Sequence, residues 1–264
     1  MWCSTKHCRI IRDKLVYVCR YIICHAGSTP AMSTIFMITL FGSCRIGAID
    51  NNNLHEETTF THNTKEVIQL IKFLKGELEF KNPYDVLCFR TGIIKNTPVI
   101  FTSELKRCFE KSFACVVEIC SRKKYIHDGY YLHHLCVDKR FKESNEDTPN
   151  NVMLEYRLEH QSDDEITQDV LEIKELLKDK TLVLACHYNA LMNGEYIRSR
   201  AKLINLVRKI SKDHNIPLID PNEIFKNELQ KDILHETLGH YTGDGYRLIK
   251  KQANLYMKNL LNLA

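Results

Sequence analysis

Short, uninterrupted apolar runs alternate along the chain with longer stretches of helical periodicity. The apolar runs have the length of buried strands and lie at Met37–Phe41, Tyr84–Phe89, Ala114–Ile119, Thr181–Cys186 and Ile216–Ile219. The helical stretches lie at Thr64–Leu74, Ser103–Phe113, Ile166–Leu177, Arg198–His214 and Tyr246–Leu261. Strands without polar–apolar alternation fit a parallel sheet that helices cover on both faces. The pattern therefore predicts an α/β fold, a three-layer α/β/α sandwich with a short parallel sheet.

Two regions depart from this alternation. Residues 1–35 are basic and cysteine-rich and contain a Gly-Ser-Thr-Pro stretch, so we expect a leader outside a folded core that spans residues 36–264. Within the leader, the apolar run Leu15–Cys24 predicts a helix that is too short to span a bilayer. Residues of about 127–165 are first aromatic and then acidic and polar, which indicates an insertion or lid.

Charge and cysteine content narrow the class of protein. The 37 basic and 33 acidic residues give a net charge of +4 and are interleaved, so no footprint for nucleic acid stands out. Eleven cysteines at irregular spacing indicate free thiols in a reducing compartment, and hence a cytoplasmic location. An alternative is a zinc site in the leader with nucleic acid as partner, built from Cys3, Cys8, Cys19 and Cys24. The oligomeric state has no signature in the sequence.

A Gly-Ser turn ends the first predicted strand. In an open parallel sheet, ligands bind at the carboxyl ends of the strands. Gly42 allows a tight turn, and Ser43 can then present both its hydroxyl and its backbone N–H to the same crevice. The hydroxyl is the predicted nucleophile and the N–H a predicted oxyanion donor, although Ser43 could instead be a helix N-cap. Cys44, the next residue, is an alternative nucleophile.

A glycine-flanked loop near the C-terminus carries His240, just before the last predicted helix. A serine hydroxyl is a weak nucleophile that needs a base, and neutral histidine is the usual base near pH 7. Gly239 and Gly243 allow a shaped loop around this imidazole. His240 is therefore the predicted general base, against the alternative of a surface histidine in a helix-entry loop.

The two stretches together resemble the SGNH (GDSL-like) hydrolases, in which a serine follows the first strand and a late histidine precedes Thr-Pro-Glu-Gly-Tyr or a variant. The segment from His240 to Tyr246 is similar to that tail, and the Gly-Ser-Cys turn at Ser43 looks like the GSCFA-type branch. The resemblance covers about residues 36–264. It implies a flavodoxin-like sheet, a Ser43–His240 pair and ester hydrolysis that requires neither a cofactor nor a metal.

The chain departs from this family in two places. The acid of the family precedes the histidine by three residues, where this chain has Thr237, and Glu236 and Asp220 are the alternative acids. Without an acid, the imidazolium is less stabilised and its tautomer is less fixed. The Gly-x-Asn-Asp block of the family is also absent. We therefore expect Asn63 and Asn189 to supply oxyanion donors, with helix capping as the alternative role of each.

The remaining residues bear on the substrate. Arg45 and Arg90 follow predicted strands, and either could hold an anionic part of a substrate. His133 and His134 are expected to be lid or surface residues and not metal ligands. The sequence thus predicts a serine esterase or acyl hydrolase for a small-molecule or glycan ester, with acylated carbohydrate, lipid ester and thioester all open. The alternative is a catalytically weak or inactive module that binds carbohydrate or protein.

Overall fold

The computed structural model describes residues 21–22, 35–49, 60–100, 103–138, 156–236 and 240–263. The strands in these ranges are β1 (Tyr21–Ile22), β2 (Ile35–Phe41), β3 (Ser112–Ile119), β4 (Lys123–His127), β5 (Tyr130–Leu132), β6 (Arg157–His160), β7 (Thr181–Cys186), β8 (Leu191–Met192), β9 (Glu195–Tyr196) and β10 (Leu218–Ile219). The α-helices are α1 (Thr64–Leu74), α2 (Tyr84–Leu87), α3 (Arg90–Lys95), α4 (Ser103–Lys111), α5 (Asp163–Leu176), α6 (Arg198–Asp213), α7 (Pro221–Ile224), α8 (Gln230–Ile233) and α9 (Gly243–Leu263). Two short 3₁₀ helices span Ile46–Ile49 and His134–Val137.

A five-stranded sheet forms the centre of the fold, in the order β1-β2-β3-β7-β10. Strands β2, β3, β7 and β10 run parallel, whereas the edge strand β1 pairs with β2 in the antiparallel direction. Parallel neighbours need a crossover connection, and helices lie in each of the three connections between these strands. The carboxyl ends of all four parallel strands therefore lie at one edge of the sheet.

Alternate side chains along the parallel strands enter two separate cores. Val117 and Leu184 face the core that contains the apolar sides of α1, α5 and α6. Val116 and Val183 face the other core, which contains α9 and the 3₁₀ helix Ile46–Ile49. Because helices cover both faces of the sheet, the predicted three-layer α/β/α sandwich with a short parallel sheet is confirmed.

Two long helices begin at side chains that the sequence supplies as caps. Oδ1 of Asn63 accepts a hydrogen bond from the N–H of Glu66 over 3.0 Å, and Oγ of Ser162 accepts from the N–H of Glu165 over 3.0 Å. The predicted helix Thr64–Leu74 is confirmed with the same bounds. Local capping chemistry thus sets where these two helices start.

The predicted strand at Tyr84–Phe89 is wrong. These residues form helix α2, and Arg90 then begins α3 instead of ending a strand. The N–H of Cys88 donates to the carbonyl of Tyr84, four residues earlier, over 3.0 Å. A short apolar run has no periodicity that separates a buried strand from a buried helix. Pro83, directly before this run, favours a helix start.

A smaller antiparallel sheet, in the order β5-β4-β6, follows the end of β3. It occupies part of the predicted insertion at about 127–165, whose residues 139–155 lie outside the described residues. Most of the predicted leader also lies outside them, including the cysteines of the alternative zinc site. Of the predicted helix Leu15–Cys24, the structure describes Tyr21–Ile22, which form β1. The bounds of the leader and of the lid stay predictions.

Membrane insertion and disulfides can be assessed for the described part of the chain. No helix there has both the length and the apolar character that crossing a bilayer requires. The cysteines found there are free thiols: Cys44, Cys88, Cys108, Cys115, Cys120, Cys136 and Cys186.

Candidate active site

The turn after β2 lies at the carboxyl edge of the sheet, against the end of β3. Gly42 forms an isolated bridge with Phe60, and its carbonyl accepts from the N–H of Thr61 over 3.2 Å. A Cβ at position 42 would lie 2.6 Å from the Cβ of Glu118, so this close approach requires glycine. Backbone geometry therefore fixes the turn against its neighbours.

Ser43 is nearly buried, and its backbone N–H is directed at a carboxylate. This N–H donates to Oε2 of Glu118 over 2.7 Å. Oγ of Ser43 accepts from the N–H of Arg45 over 3.3 Å, a local contact that serine commonly makes in turns. The predicted oxyanion donor, the N–H of Ser43, is thus engaged by Glu118.

The imidazole of His240 contacts Cys44, the neighbour of Ser43. Sγ of Cys44 lies 3.2 Å from Nδ1 of His240, although the two residues are 196 positions apart in the chain. Burial and, secondly, the carboxylate of Glu118 raise the pKa of the Cys44 thiol, and nearby arginines oppose part of this shift. The thiol is therefore mostly protonated at neutral pH, with an imidazole placed to remove its proton.

Backbone pairing with the segment after α8 positions His240. The N–H of His235 donates to the carbonyl of His240 over 3.1 Å, and Leu234 forms an antiparallel bridge with Tyr241. Tyr241 is buried among apolar residues, whereas His240 is exposed. The loop thus anchors Tyr241 in the core and holds the preceding residue, His240, at the rim of the site.

The acid expected behind His240 is not among its described contacts. Glu236 is exposed and makes no hydrogen bond in the described part of the chain, and Thr237 lies outside that part. Asp220 accepts from Nε of Arg208 over 2.6 Å and from a backbone N–H in the first turn of α7 over 2.9 Å. Burial alone would raise the pKa of Asp220, but these hydrogen bonds outweigh it and hold the pKa below its ordinary value. Asp220 is therefore committed to Arg208 and to capping α7.

The two predicted oxyanion asparagines have different surroundings. The amide nitrogen of Asn63 donates to Oε1 of Glu66 over 2.6 Å and to the carbonyl of Lys123 over 2.9 Å, so both of its hydrogens are in use. Asn63 thus has the capping role that was its alternative. The N–H of Asn189 donates to Oδ1 of Asn222 over 2.8 Å, and the side chain of Asn189 is half-buried. A role of Asn189 as an oxyanion donor stays a prediction.

Arg45 places a buried cation beside the turn. It is 4% exposed, and its guanidinium lies 5.5 Å from the centre of the Tyr241 ring. Its Nη1 donates to Nδ1 of His187 over 3.0 Å, since a guanidinium has no acceptor atom. Burial, followed by the charges of Arg45 and Arg200, holds the pKa of His187 well below its ordinary value. His187 is therefore a neutral imidazole that orients Arg45.

Glu118 is a residue of the site that the sequence analysis missed. It lies near the end of β3 and is 3% exposed. The available signal was a carboxylate inside an otherwise apolar strand, which is costly to bury unless it is paired.

Arg90, a predicted substrate residue, lies 4.9 Å from the centre of the Phe60 ring, and its charge lowers the pKa of Cys44.

Three histidines that the sequence analysis did not combine meet beside the same edge of the sheet. The ring centres of His62 and His133 are 4.9 Å apart, and those of His62 and His134 are 4.2 Å apart. The N–H of His133 donates to the carbonyl of Leu87 over 3.0 Å, which turns the chain inward after β5. His133 is fully buried, so the expectation that it lies on the surface is wrong, whereas its place in a lid stays a prediction.

Comparisons with known proteins indicate a family. The family model described as the TviD N-terminal domain matches residues 36–153 and 147–249. A relative from Salmonella typhi, the Vi polysaccharide biosynthesis protein TviD, is 25% identical over 258 residues. That alignment covers 80% of this chain and 30% of the relative. The chain therefore spans less than a third of the length of this curated relative.

Proposed function

We propose that this chain, which belongs to the TviD N-terminal domain family, transfers or hydrolyses acyl groups on a carbohydrate. The observation that carries the proposal is the 3.2 Å contact between Sγ of Cys44 and Nδ1 of His240. A nucleophile beside a base, at the edge where open α/β sheets bind ligands, is a typical arrangement for acyl transfer. The relative named for polysaccharide biosynthesis supports carbohydrate as the substrate class.

The proposed reaction begins with proton transfer from Cys44 to His240. Sγ of Cys44 attacks the carbonyl carbon of the ester while Nδ1 of His240 accepts the thiol proton. The tetrahedral intermediate collapses to a thioester on Cys44, and the imidazolium donates its proton to the leaving alcohol. His240 then takes a proton from water or from a sugar hydroxyl, whose oxygen attacks the thioester. Cys44 leaves as a thiolate and takes the proton back from the imidazolium. Water gives hydrolysis, whereas a sugar hydroxyl gives acyl transfer.

Ser43 is the second candidate nucleophile, and the resemblance to the SGNH hydrolases favours it. It lies on the same turn as Cys44, and a serine would pass through the same steps with an oxygen ester in place of the thioester. We place the attack on Cys44 because its sulfur contacts the imidazole of His240. The two proposals differ in the atom that carries the acyl group, which is Sγ of Cys44 in one and Oγ of Ser43 in the other.

Charge stabilisation of the intermediate is assigned to Arg45 and Asn189. Arg45 directly follows Cys44 in the chain, and it lines the same small cavity as Glu118 and Tyr241, the residue after His240. A buried cation stabilises a developing oxyanion more than an exposed one, because less water screens it. The N–H of Ser43 can join them if the carboxylate of Glu118 moves away.

A groove lined by Asn189, the proposed oxyanion donor, supports a glycan substrate. It has a volume of about 510 Å³, and its lining includes Tyr188, Asn189, Tyr196, Asn222 and Gln230. Tyr196 is 60% exposed. Exposed aromatic rings with a polar edge and side-chain amides suit the alternating apolar faces and hydroxyls of sugar rings. Tyr188 directly follows His187, the partner of Arg45, which connects this groove to the site.

Covalent trapping tests the proposed nucleophile. The full chain is treated with an aryl acetate and, separately, with a fluorophosphonate, and the modified residue is read by peptide mass spectrometry. We expect acetyl on Cys44 in the wild type and in Ser43→Ala, and none in Cys44→Ala or His240→Gln. A fluorophosphonate adduct on Ser43 that persists in Cys44→Ala would instead assign the attack to Ser43.

An inactive binding module on the same scaffold is the competing proposal. Two observations favour it: Glu118 engages the N–H of Ser43, and no acid lies behind His240 among the described contacts. A folded wild-type protein that retains an oligosaccharide in a binding assay, with no adduct on either residue of the turn, would establish this alternative.

The cytoplasmic location expected from the free cysteines stays a prediction.

A further inference from the structure

The three histidines beside the end of β3 lie outside the proposed acyl-transfer machinery. His62, His133 and His134 each offer a ring nitrogen, and these three atoms all lie within 4.8 Å of one another. His62 comes from the loop before α1, and the other two come from the start of the 3₁₀ helix after β5. Two separate chain segments therefore converge on one point.

His133 brings an unsatisfied nitrogen into this cluster. Its Nδ1 accepts from the N–H of Leu135 over 3.3 Å, whereas its Nε2 is buried and has no hydrogen-bond partner among the described residues. Burial, followed by the neighbouring His62, His134 and Arg90, holds the pKa of His133 well below its ordinary value. Imidazole binds metals through a ring nitrogen of this kind.

His62 is held in place by contacts on both sides. Its carbonyl accepts from the N–H groups of Cys120 and Ser121 over 3.1 Å and 2.8 Å. Its N–H donates to Oε2 of Glu66 over 2.8 Å, and the same oxygen lies 3.6 Å from its Nδ1. Nδ1 of His62 makes no hydrogen bond among the described residues, so Glu66 must close on it by about 0.5 Å to form the carboxylate–histidine–metal unit of many proteins.

We propose that His62, His133 and His134 bind one divalent transition-metal ion of the zinc class, with the fourth position open. Imidazole nitrogens suit Zn²⁺, and three protein ligands with one open position are a common catalytic zinc geometry. Tetrahedral zinc needs ligand nitrogens about 3.3 Å apart, so the rings must close by about 1–1.5 Å. Glu66 offsets part of the charge of the metal, while Arg90 opposes it.

Metal binding at Nε2 changes the tautomer of His133. With Nδ1 accepting from Leu135, the metal-free ring carries its proton on Nε2. A metal on Nε2 moves that proton to Nδ1, which must then turn away from the N–H of Leu135. The start of the 3₁₀ helix His134–Val137 therefore rearranges on binding, and the movement that closes the rings occurs in the same segment.

Zinc and cobalt titrations of the chelator-treated full chain test the site. We expect the wild-type chain to bind one more Zn²⁺ than a His133→Ala variant does. Added Zn²⁺ should raise the melting temperature of the wild type and not that of the variant. Co²⁺ at this site should give ligand-field bands without the sulfur charge-transfer band that cysteine binding produces. Nitrogen-15 NMR of the imidazoles should show His133 passing from the Nε2–H to the Nδ1–H tautomer.

Variants of the less buried ligands keep the test independent of folding defects. His62→Gln and His134→Gln should each remove the extra metal, and Glu66→Gln should weaken Zn²⁺ affinity by about 10- to 100-fold. His160→Ala changes an exposed histidine on β6 and should bind as the wild type does. Equal Zn²⁺ content and equal melting temperatures in all of these proteins would overturn the proposal.

Discussion

Two histidines at the carboxyl edge of one sheet lie in opposite environments. His240 is exposed and contacts the thiol of Cys44, whereas His133 is fully buried beside two other imidazoles. An imidazole that reaches solvent can exchange protons with reactants near neutral pH. A buried imidazole that neighbours other imidazoles can instead offer a ring nitrogen to a metal. Burial, and not residue type, thus separates a proposed proton carrier from a proposed metal ligand.

The two regions also differ in how they are held. Backbone pairing positions His240, through His235 and the bridge between Leu234 and Tyr241. Side-chain caps and turns position the histidine cluster, because Glu66 and Asn63 order the loop before α1. A substitution can therefore change proton transfer at His240 without disturbing the histidine cluster, or disturb the cluster without changing proton transfer.

The largest expected effect is on catalysis at His240. His240→Gln should lower the rate of aryl-acetate turnover by about 10²- to 10⁴-fold, because a positioned general base contributes that much. The circular dichroism spectrum should stay unchanged, since the side chain is exposed. The exposed neighbour His235→Gln is the matched control and should retain wild-type rates. Full activity in His240→Gln would falsify the proposed base.

The next effect concerns the turn that carries the nucleophile. Gly42→Ala places a Cβ 2.6 Å from the Cβ of Glu118 and should lower the free energy of unfolding by about 1–3 kcal/mol. Urea denaturation measures this loss. Gly243→Ala is the control, because a Cβ there would meet no atom of another described segment within 4 Å, and it should be nearly neutral. Equal stability of the two variants would show that the turn does not need glycine.

A smaller effect should separate the histidine cluster from the acyl-transfer site. Asn63→Ala removes the cap of α1 and a hydrogen bond to Lys123, and should cost about 0.5–2 kcal/mol of unfolding free energy. It should also reduce Zn²⁺ affinity, because His62 precedes the lost cap. Ser162→Ala removes the corresponding cap of α5 and should destabilise similarly without changing Zn²⁺ affinity. Identical metal affinity in both variants would contradict this link.

The smallest effect is electrostatic and acts on Cys44. Glu118→Gln removes the carboxylate that helps to raise the thiol pKa, so that pKa should fall and the thiolate fraction at pH 7–8 should increase. Iodoacetamide should then alkylate Cys44 severalfold faster, by less than about tenfold, which corresponds to one pKa unit. Glu159→Gln alters a half-buried carboxylate on β6 that pairs with Lys124, and should leave the rate unchanged. A slower reaction in Glu118→Gln would show that this carboxylate does not raise the pKa of the Cys44 thiol.

Much of the fold follows from local chemistry that the sequence displays. Apolar runs and helical spacing predicted the strands around Val116 and Leu184 and the helix Thr64–Leu74, because periodicity reports which face of an element is buried. The same signal failed at Tyr84–Phe89, where a run buried on all sides fits a strand or a helix equally well.

Some features of the candidate site could likewise be predicted from the sequence, and others depend on the tertiary structure. The sequence alone indicated a reactive turn at Ser43 and Cys44 and a late imidazole at His240, since glycine-flanked polar residues stand out after an apolar strand and before a helix. The sequence left Ser43 and Cys44 as alternative partners of His240, and only the tertiary structure showed the contact with Cys44. Only the tertiary structure brought Glu118 to the N–H of Ser43 and joined His62 to His133. Distances between residues far apart in the chain depend on how the elements pack, and no local pattern encodes that packing.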